Sequence, residues 1–312
     1  MSGYAVDKTL PSTGQSLGVR AKVCLNLARL FLTGPLKRYG FRNDVNTRFE
    51  SMNEWMADRV EQIEEYQHLF KPFCAFEGKT VLELGCNRGY LLDAFLRAES
   101  FEAIGADIDV EALEEARASF GDRVRFIEST PDSIPLKDES VDVIYTIDTV
   151  EHLSKPREIF MECYRVLRPG GMFLIHFHPW LGPYGSHLED IIPFPWPQVF
   201  FSMDTLLDVA SNLYDSPDYK VACYYTDAQT GEKKPNPYLD KAKWDRFLNR
   251  ITLKQFKRML KGLPFELVHS EMIGFSGRMF PAARHLKRLS QMSGPDEYFT
   301  KAMFCVLKKP QA

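Results

Sequence analysis

A chain of 312 residues with 45% hydrophobic content is long enough to bury a substantial core, which by usual domain sizes means one α/β domain with additions. A formal net charge of −3 leaves no global field to draw it to nucleic acid or acidic membranes, so only a local basic patch would do so. Six scattered cysteines without a CxxC pair (Cys24, Cys74, Cys86, Cys163, Cys223, Cys305) read as reduced core thiols rather than a disulfide framework.

Residues 1–20, rich in Ser, Gly, Thr and Pro, predict a flexible N-terminus. A helical segment is expected over 21–75. Ala21–Leu32 forms its first helix, broken at Gly34-Pro35. The apolar part, from Val23 to Leu32, is too short to span a bilayer, so no membrane span is expected and the compartment is read as cytoplasmic. Phe49, Met52, Trp55, Met56, Val60, Ile63 and Tyr66 then recur at helical spacing over Val45–Phe70, a helix expected to pack across the nucleotide-binding end of the next unit.

A strand–helix alternation occupies 76–178. Strands are predicted at Thr80–Leu84, Ala103–Asp107, Val124–Glu128, Val141–Ile147 and Met172–Phe177, and helices at Tyr90–Arg97, Val110–Phe120 and Pro156–Val166. Asp109 is placed to cap the second helix, and Pro156 suits a first helical position. VDVIYTI is almost wholly apolar, as a strand buried on both faces must be. The rhythm lapses over 179–250, dense in Pro and aromatic residues. It resumes over 251–312 with a Thr252-x-x-Gln255 capping box and strands at Phe265–His269 and Ala302–Leu307.

The first strand runs into Glu83-Leu84-Gly85-Cys86-Asn87-Arg88-Gly89 and then a helix, the turn chemistry of a nucleotide loop, and Asp107 ends the second strand where a carboxylate can accept ribose hydroxyls. An ordinary tight turn, with Asp107 capping a helix, is the alternative for each feature taken singly.

VLELGCNRGYLL, IGADI, SIPLKDESVDVIYTIDTVEHL and REIFMECYRVLRPGGMFLI follow one another over about 79–178. They resemble successive motifs of class I methyltransferases of the UbiE/UbiG-like group (type 11 methyltransferase domain). The resemblance implies an α/β, Rossmann-like fold: a mostly parallel seven-stranded sheet with helices on both faces, plus N-terminal helices and an inserted lid. It implies S-adenosylmethionine as donor and S-adenosylhomocysteine as product. Glu83, Gly85, Cys86 and Gly89 would line its methionine end, Asp107 would hold the ribose, Ile108 would pack on adenine, and Asp148 would lie beneath the methionine moiety. The family often has a glycine where Asn87 stands, and Asn is the best non-glycine residue for a left-handed conformation. For the adenine amino group the aligned segment offers Thr130-Pro131 in place of the usual acid, with Asp132 as an alternative. Glu151-His152 belongs to the family's LEH motif, mostly architectural.

A sulfonium methyl is already electrophilic, so the enzyme mainly aligns a nucleophile for in-line SN2 displacement, with a base needed for protonated acceptors. His176 and His178 share one strand face. His178, at the strand end, is the candidate base or substrate anchor, with His187 and Tyr184 as helpers and neutral titration assumed for the imidazole. The insert 179–250 reads as a substrate lid, or else as a second hydrophobic subdomain. His176, His178, His187 and Glu189 have metal-binding chemistry but no standard spacing, so no metal is expected. Arg278, Arg284, His285, Lys287 and Arg288 read as a solvated face or an anion contact. The acceptor is expected to be a small molecule methylated at O, N or activated carbon, with no nucleic-acid partner; the oligomeric state is open. The rivals are methylation of a protein or nucleic acid, which a basic stripe or recognition domain would mark, and a non-catalytic methyltransferase-like subunit.

Overall fold

The computed structural model describes residues 17–40, 54, 60, 63–217, 219–227, 230–275 and 286–311. Most of the predicted Val45–Phe70 helix lies outside them, as do Arg278, Arg284 and His285 of the basic segment Arg278–Arg288. Seven strands pair into one sheet: β1 (Thr80–Leu84), β2 (Glu102–Asp107), β3 (Arg125–Glu128), β4 (Val141–Ile147), β5 (Leu167–Phe177), β6 (Glu266–Gly274) and β7 (Thr300–Lys308). Their order is β3-β2-β1-β4-β5-β7-β6. β1 to β5 pair in parallel, and β7 runs antiparallel between β5 and β6. β5 begins at Leu167 rather than Met172, since Leu167 already pairs with Val141 ahead of the register shift that takes up Arg168–Gly171.

The longer helices of the described residues are α1 (Val19–Leu32), α2 (Ile63–Phe70), α3 (Tyr90–Ala98), α4 (Val110–Phe120), α5 (Pro156–Val166), α6 (Met203–Asp215), α7 (Lys241–Phe247) and α8 (Leu253–Lys261). Asp109 accepts from the Ala112 N–H and caps α4, and the Thr252–Gln255 capping box opens α8 with both its bonds formed. One sheet face packs on α2, α3 and α4 through Phe70, Leu92, Phe95, Leu113 and Phe120. The other packs on α5 and α8, where Phe160 lies 5.0 Å from Phe173 and 6.1 Å from Phe256 between ring centroids.

The insert is more regular than its sequence suggests. It holds α6 and α7 and builds a core of its own: Leu188, Ile191, Leu206, Ala210, Tyr214 and Tyr238 pack with Cys24, Leu25, Ala28 and Phe31 of α1. The insert thus has a hydrophobic core of its own, and α1 joins it. All six cysteines are free and buried. No helix among the described residues is long and apolar enough to cross a membrane.

Arg165 ties the loop before β4 to α5. Its guanidinium donates to both Glu162 carboxylate oxygens at 2.8 and 2.7 Å, to the carbonyls of Ile134 and Leu136 at 2.8 Å, and to Asp138 at 2.7 Å. Arg165→Ala is therefore expected to cost roughly 1.5–3 kcal/mol, the scale of hydrogen bonds to a charged group, read from urea unfolding. Arg165 holds the Glu162 carboxyl below its ordinary 4.5. A depressed carboxyl stabilises the fold above its unfolded pKa and loses that contribution as pH falls through the folded one. The gap between wild type and variant narrows below pH 4.5; a constant gap down through acid pH would refute this role.

Candidate functional site

Parallel register brings the ends of β1, β2, β4 and β5 to one edge, with Leu84 beside Ala106 and Ile147 beside His176. The loops that leave this edge carry the strained backbone. Gly85 (φ 79°), Asn87 (φ 48°), Gly89 (φ 74°) and Asp148 (φ 52°) are all left-handed. At Gly85 the space is also closed: a Cβ there would lie 2.3 Å from Thr149 Oγ1, so the loops after β1 and β4 touch only because a hydrogen stands in that place. Asn87 adopts the left-handed conformation that its sequence position calls for.

Asp107 locks the first loop to the second. Its carboxylate accepts the Asn87 N–H at 2.7 Å and the Asp109 N–H at 2.9 Å. Glu83 is 3% exposed and is the register partner of Tyr145 on β4. Cys86 is buried, and burial, with Glu83 and Asp107 nearby, pushes its thiol well above the ordinary range. Ile108 stands 61% exposed at the end of β2, an apolar face left to solvent. Thr130 and Pro131 are exposed. The Thr130 hydroxyl donates to Asp132 at 3.0 Å, and the other Asp132 oxygen pairs with Lys155, so the alternative adenine contact at Asp132 is already engaged on both oxygens.

Beyond β4 and β5 the titratable groups converge. His176 Nδ1 lies 3.0 Å from Asp148 Oδ1, and His178 Nε2 lies 3.4 Å from the same oxygen, so the shared face of the two histidines holds. His178 Nδ1 is 2.8 Å from the Lys301 carbonyl on β7. A carbonyl only accepts, which assigns the proton to Nδ1 and turns the Nε2 lone pair toward Asp148. The expectation of neutral titration is corrected: burial pushes His178 down to about 4, because little solvent is left to stabilise an imidazolium.

Glu151, in the turn after β4, is 3% exposed and accepts the His178 backbone N–H at 3.2 Å. Burial, then the charge of Asp148, raises its carboxyl well above the ordinary range. His187 of the insert brings Nε2 to 3.6 Å from Glu151 Oε1, held by a left-handed backbone of φ 55°. His152 donates from Nδ1 to the Phe247 carbonyl at 2.8 Å, and its ring meets His187 edge-on at 5.0 Å. Asn249 clamps the same turn by donating to the Val150 and Leu153 carbonyls at 2.7 and 2.9 Å. The insert thus reaches the carboxyl edge of the sheet. Tyr184 instead packs on Phe275, in a cluster with Tyr39, Trp196 and Leu286. Glu151 and His176 carry more of this geometry than their sequence motifs suggested. The signal available was an EH pair just past a buried strand.

A family described as the methyltransferase domain matches residues 82–175, which run from β1 into β5 and so contain the loops after β1, β2 and β4, while His176, His178 and the insert lie beyond the match. Over these residues the chain is similar to a methyltransferase domain, the class that its sequence motifs resemble. The donor of that class is S-adenosylmethionine. Two mycobacterial relatives, both named uncharacterized methyltransferases, match part of the chain. That of Mycobacterium bovis (strain BCG / Pasteur 1173P2) is 33% identical over 111 residues, covering 35% of this chain and 43% of the relative. That of Mycobacterium ulcerans is 34% identical over 134 residues, covering 43% and 47%. The chain thus spans under half the length of these relatives. Among solved structures, an S-adenosylmethionine dependent methyltransferase from Mesorhizobium loti aligns with a TM-score of 0.46 at 15% identity, covering 80% of this chain and 99% of the other.

Proposed function

We propose that this chain transfers the methyl group of S-adenosylmethionine to a small-molecule acceptor at oxygen, nitrogen or activated carbon. The carrying observation is the Asp107–Asn87 lock at the edge of the sheet. It aligns the left-handed glycine loop with a carboxylate and the uncovered Ile108 face, a fit to the polyhydroxylated, flat and cationic parts of that donor. In this reading Glu83, Gly85, Cys86, Asn87 and Gly89 line the methionine and ribose side, with Asp107 on the ribose hydroxyls. Ile108, Thr130 and Pro131 border the adenine, and Asp148 lies under the methionine.

On the acceptor side, His178 Nε2 and Asp148 Oδ1 face each other at 3.4 Å, two acceptor atoms that a hydroxyl or ammonium of the substrate would bridge as donor. His178 serves as base or anchor. His187 reaches over the turn after β4, and Tyr184 supports the insert around it. Methyl transfer is a displacement in line: the acceptor's lone pair forms the new bond to carbon as the carbon–sulfur pair returns to sulfur, leaving S-adenosylhomocysteine.

The test incubates the protein with radiolabelled donor and a pool of small metabolites, then identifies the labelled product by mass. A labelled small molecule that disappears on omitting the protein is expected. Label found only in polypeptide or nucleic acid would overturn the small-molecule reading, and no S-adenosylhomocysteine binding by calorimetry would overturn the donor assignment.

A further inference from the structure

We propose that Glu151, His152 and His187 form a binding site for a divalent transition cation of the zinc type, closed by the insert over the turn that follows β4. One ligand atom from each residue lies within 4.8 Å of the other two. A tetrahedral zinc with bonds near 2.0–2.2 Å sets its ligands about 3.4 Å apart. The His187 Nε2 to Glu151 Oε1 separation of 3.6 Å already has that length, and modest side-chain rotation draws in the rest.

Three further observations point to a cation. First, Glu151 Oε2 is buried and has no hydrogen-bond partner among the described residues. An orphaned carboxylate oxygen at this depth is costly, and a cation in the cluster removes the cost. Second, His152 gives its Nδ1 proton to the Phe247 carbonyl at 2.8 Å. That leaves Nε2 as a bare lone pair and supplies the outer hydrogen bond by which metal-bound histidines are oriented. Third, the His187 backbone is left-handed at φ 55°, a conformation uncommon outside glycine that recurs where a side chain is held to a task. Two imidazoles and one carboxylate make a donor set known from catalytic zinc centres, which leave a fourth position to water or substrate.

The site takes zinc or a similar borderline cation in preference to magnesium, because two of its three donors are nitrogen. Its role rests on the methyl-transfer reading: an oxygen of the acceptor entering the fourth position would lose its proton more easily. Its existence does not rest on that reading.

The whole chain, stripped with a chelator and returned to chelator-free buffer, is titrated with zinc chloride by calorimetry. One equivalent is expected to bind. His152→Ala and His187→Ala are each expected to weaken it by at least about tenfold, while S-adenosylhomocysteine affinity and the far-ultraviolet spectrum stay as in wild type. Cobalt chloride is expected to produce visible absorption of a four-coordinate centre that Glu151→Gln alters. No saturable zinc binding to the folded wild type, or equal affinity in the His152→Ala/His187→Ala double variant, overturns the site. If a histidine variant unfolds, the cobalt spectrum of Glu151→Gln decides alone, an unchanged spectrum overturning the site. Methyl transfer that proceeds undiminished in zinc-free protein would remove the cation from the reaction, whereas loss of donor binding in every form would overturn the proposed function and leave the zinc result standing.

Discussion

Asp107→Ala is expected to weaken S-adenosylmethionine and S-adenosylhomocysteine binding by roughly 1.5–3 kcal/mol, the scale of hydrogen bonds to a charged group. That is about a tenfold to 150-fold rise in the dissociation constant. The loss has two parts. The ribose hydroxyls lose their acceptor, and the loop after β1 loses the bond from Asn87 N that holds it against β2. Asp107→Asn separates them, since an amide keeps one acceptor oxygen but no charge. It is expected to fall between wild type and alanine. The fold should persist, because α4 is capped by Asp109 and the β2 ladder by its backbone. Calorimetry on a folded Asp107→Ala protein that shows unchanged affinity would remove this carboxylate from the donor site.

His178→Ala is expected to lower turnover by about 10²-fold, with donor affinity nearly unchanged. This is the lower end of what a positioned base contributes, because burial leaves the imidazole with little affinity for a proton. Its Nδ1 bond to the Lys301 carbonyl and its backbone bond to Glu151 also make it a tie between β5, β7 and the turn after β4, so the variant needs a melting curve beside the kinetics. Loss of turnover at an unchanged melting temperature marks a base. A rise confined to the Michaelis constant marks an anchor. A joint fall in stability and donor affinity marks a structural histidine, and wild-type constants in a stable variant would end the proposal.

Much of the proposed donor side was legible because its physics is local. Residues 80–84, 110–120, 141–147 and 156–166 form the elements their sequences predict, to the residue. Each is set by short-range rules: an apolar run for a strand buried on both faces, Asp109 for a cap, Pro156 for a first turn. The left-handed Asn87 and the glycines on either side of it are likewise a property of a few consecutive residues. The helices α6 and α7 were missed although Ser202 and Asp240 cap them, since the aromatic and proline density around them hides the spacing of Leu206, Ala210 and Leu213.

The proposed acceptor side was legible only in part. His176 and His178 share a face because strand alternation is local, but nothing in their neighbourhood places Asp148 between them. That contact comes from the pairing of β4 with β5. The sequence alone determined the strand–helix alternation, the glycine loop and the carboxylate at the end of β2. Only the tertiary structure decided that α1 belongs to the insert's core, that His178 sits half-buried between Asp148 and the Lys301 carbonyl, and that His187 meets Glu151 and His152 from 35 or more positions away. Burial and convergence are sums over distant segments, and no window of sequence contains them.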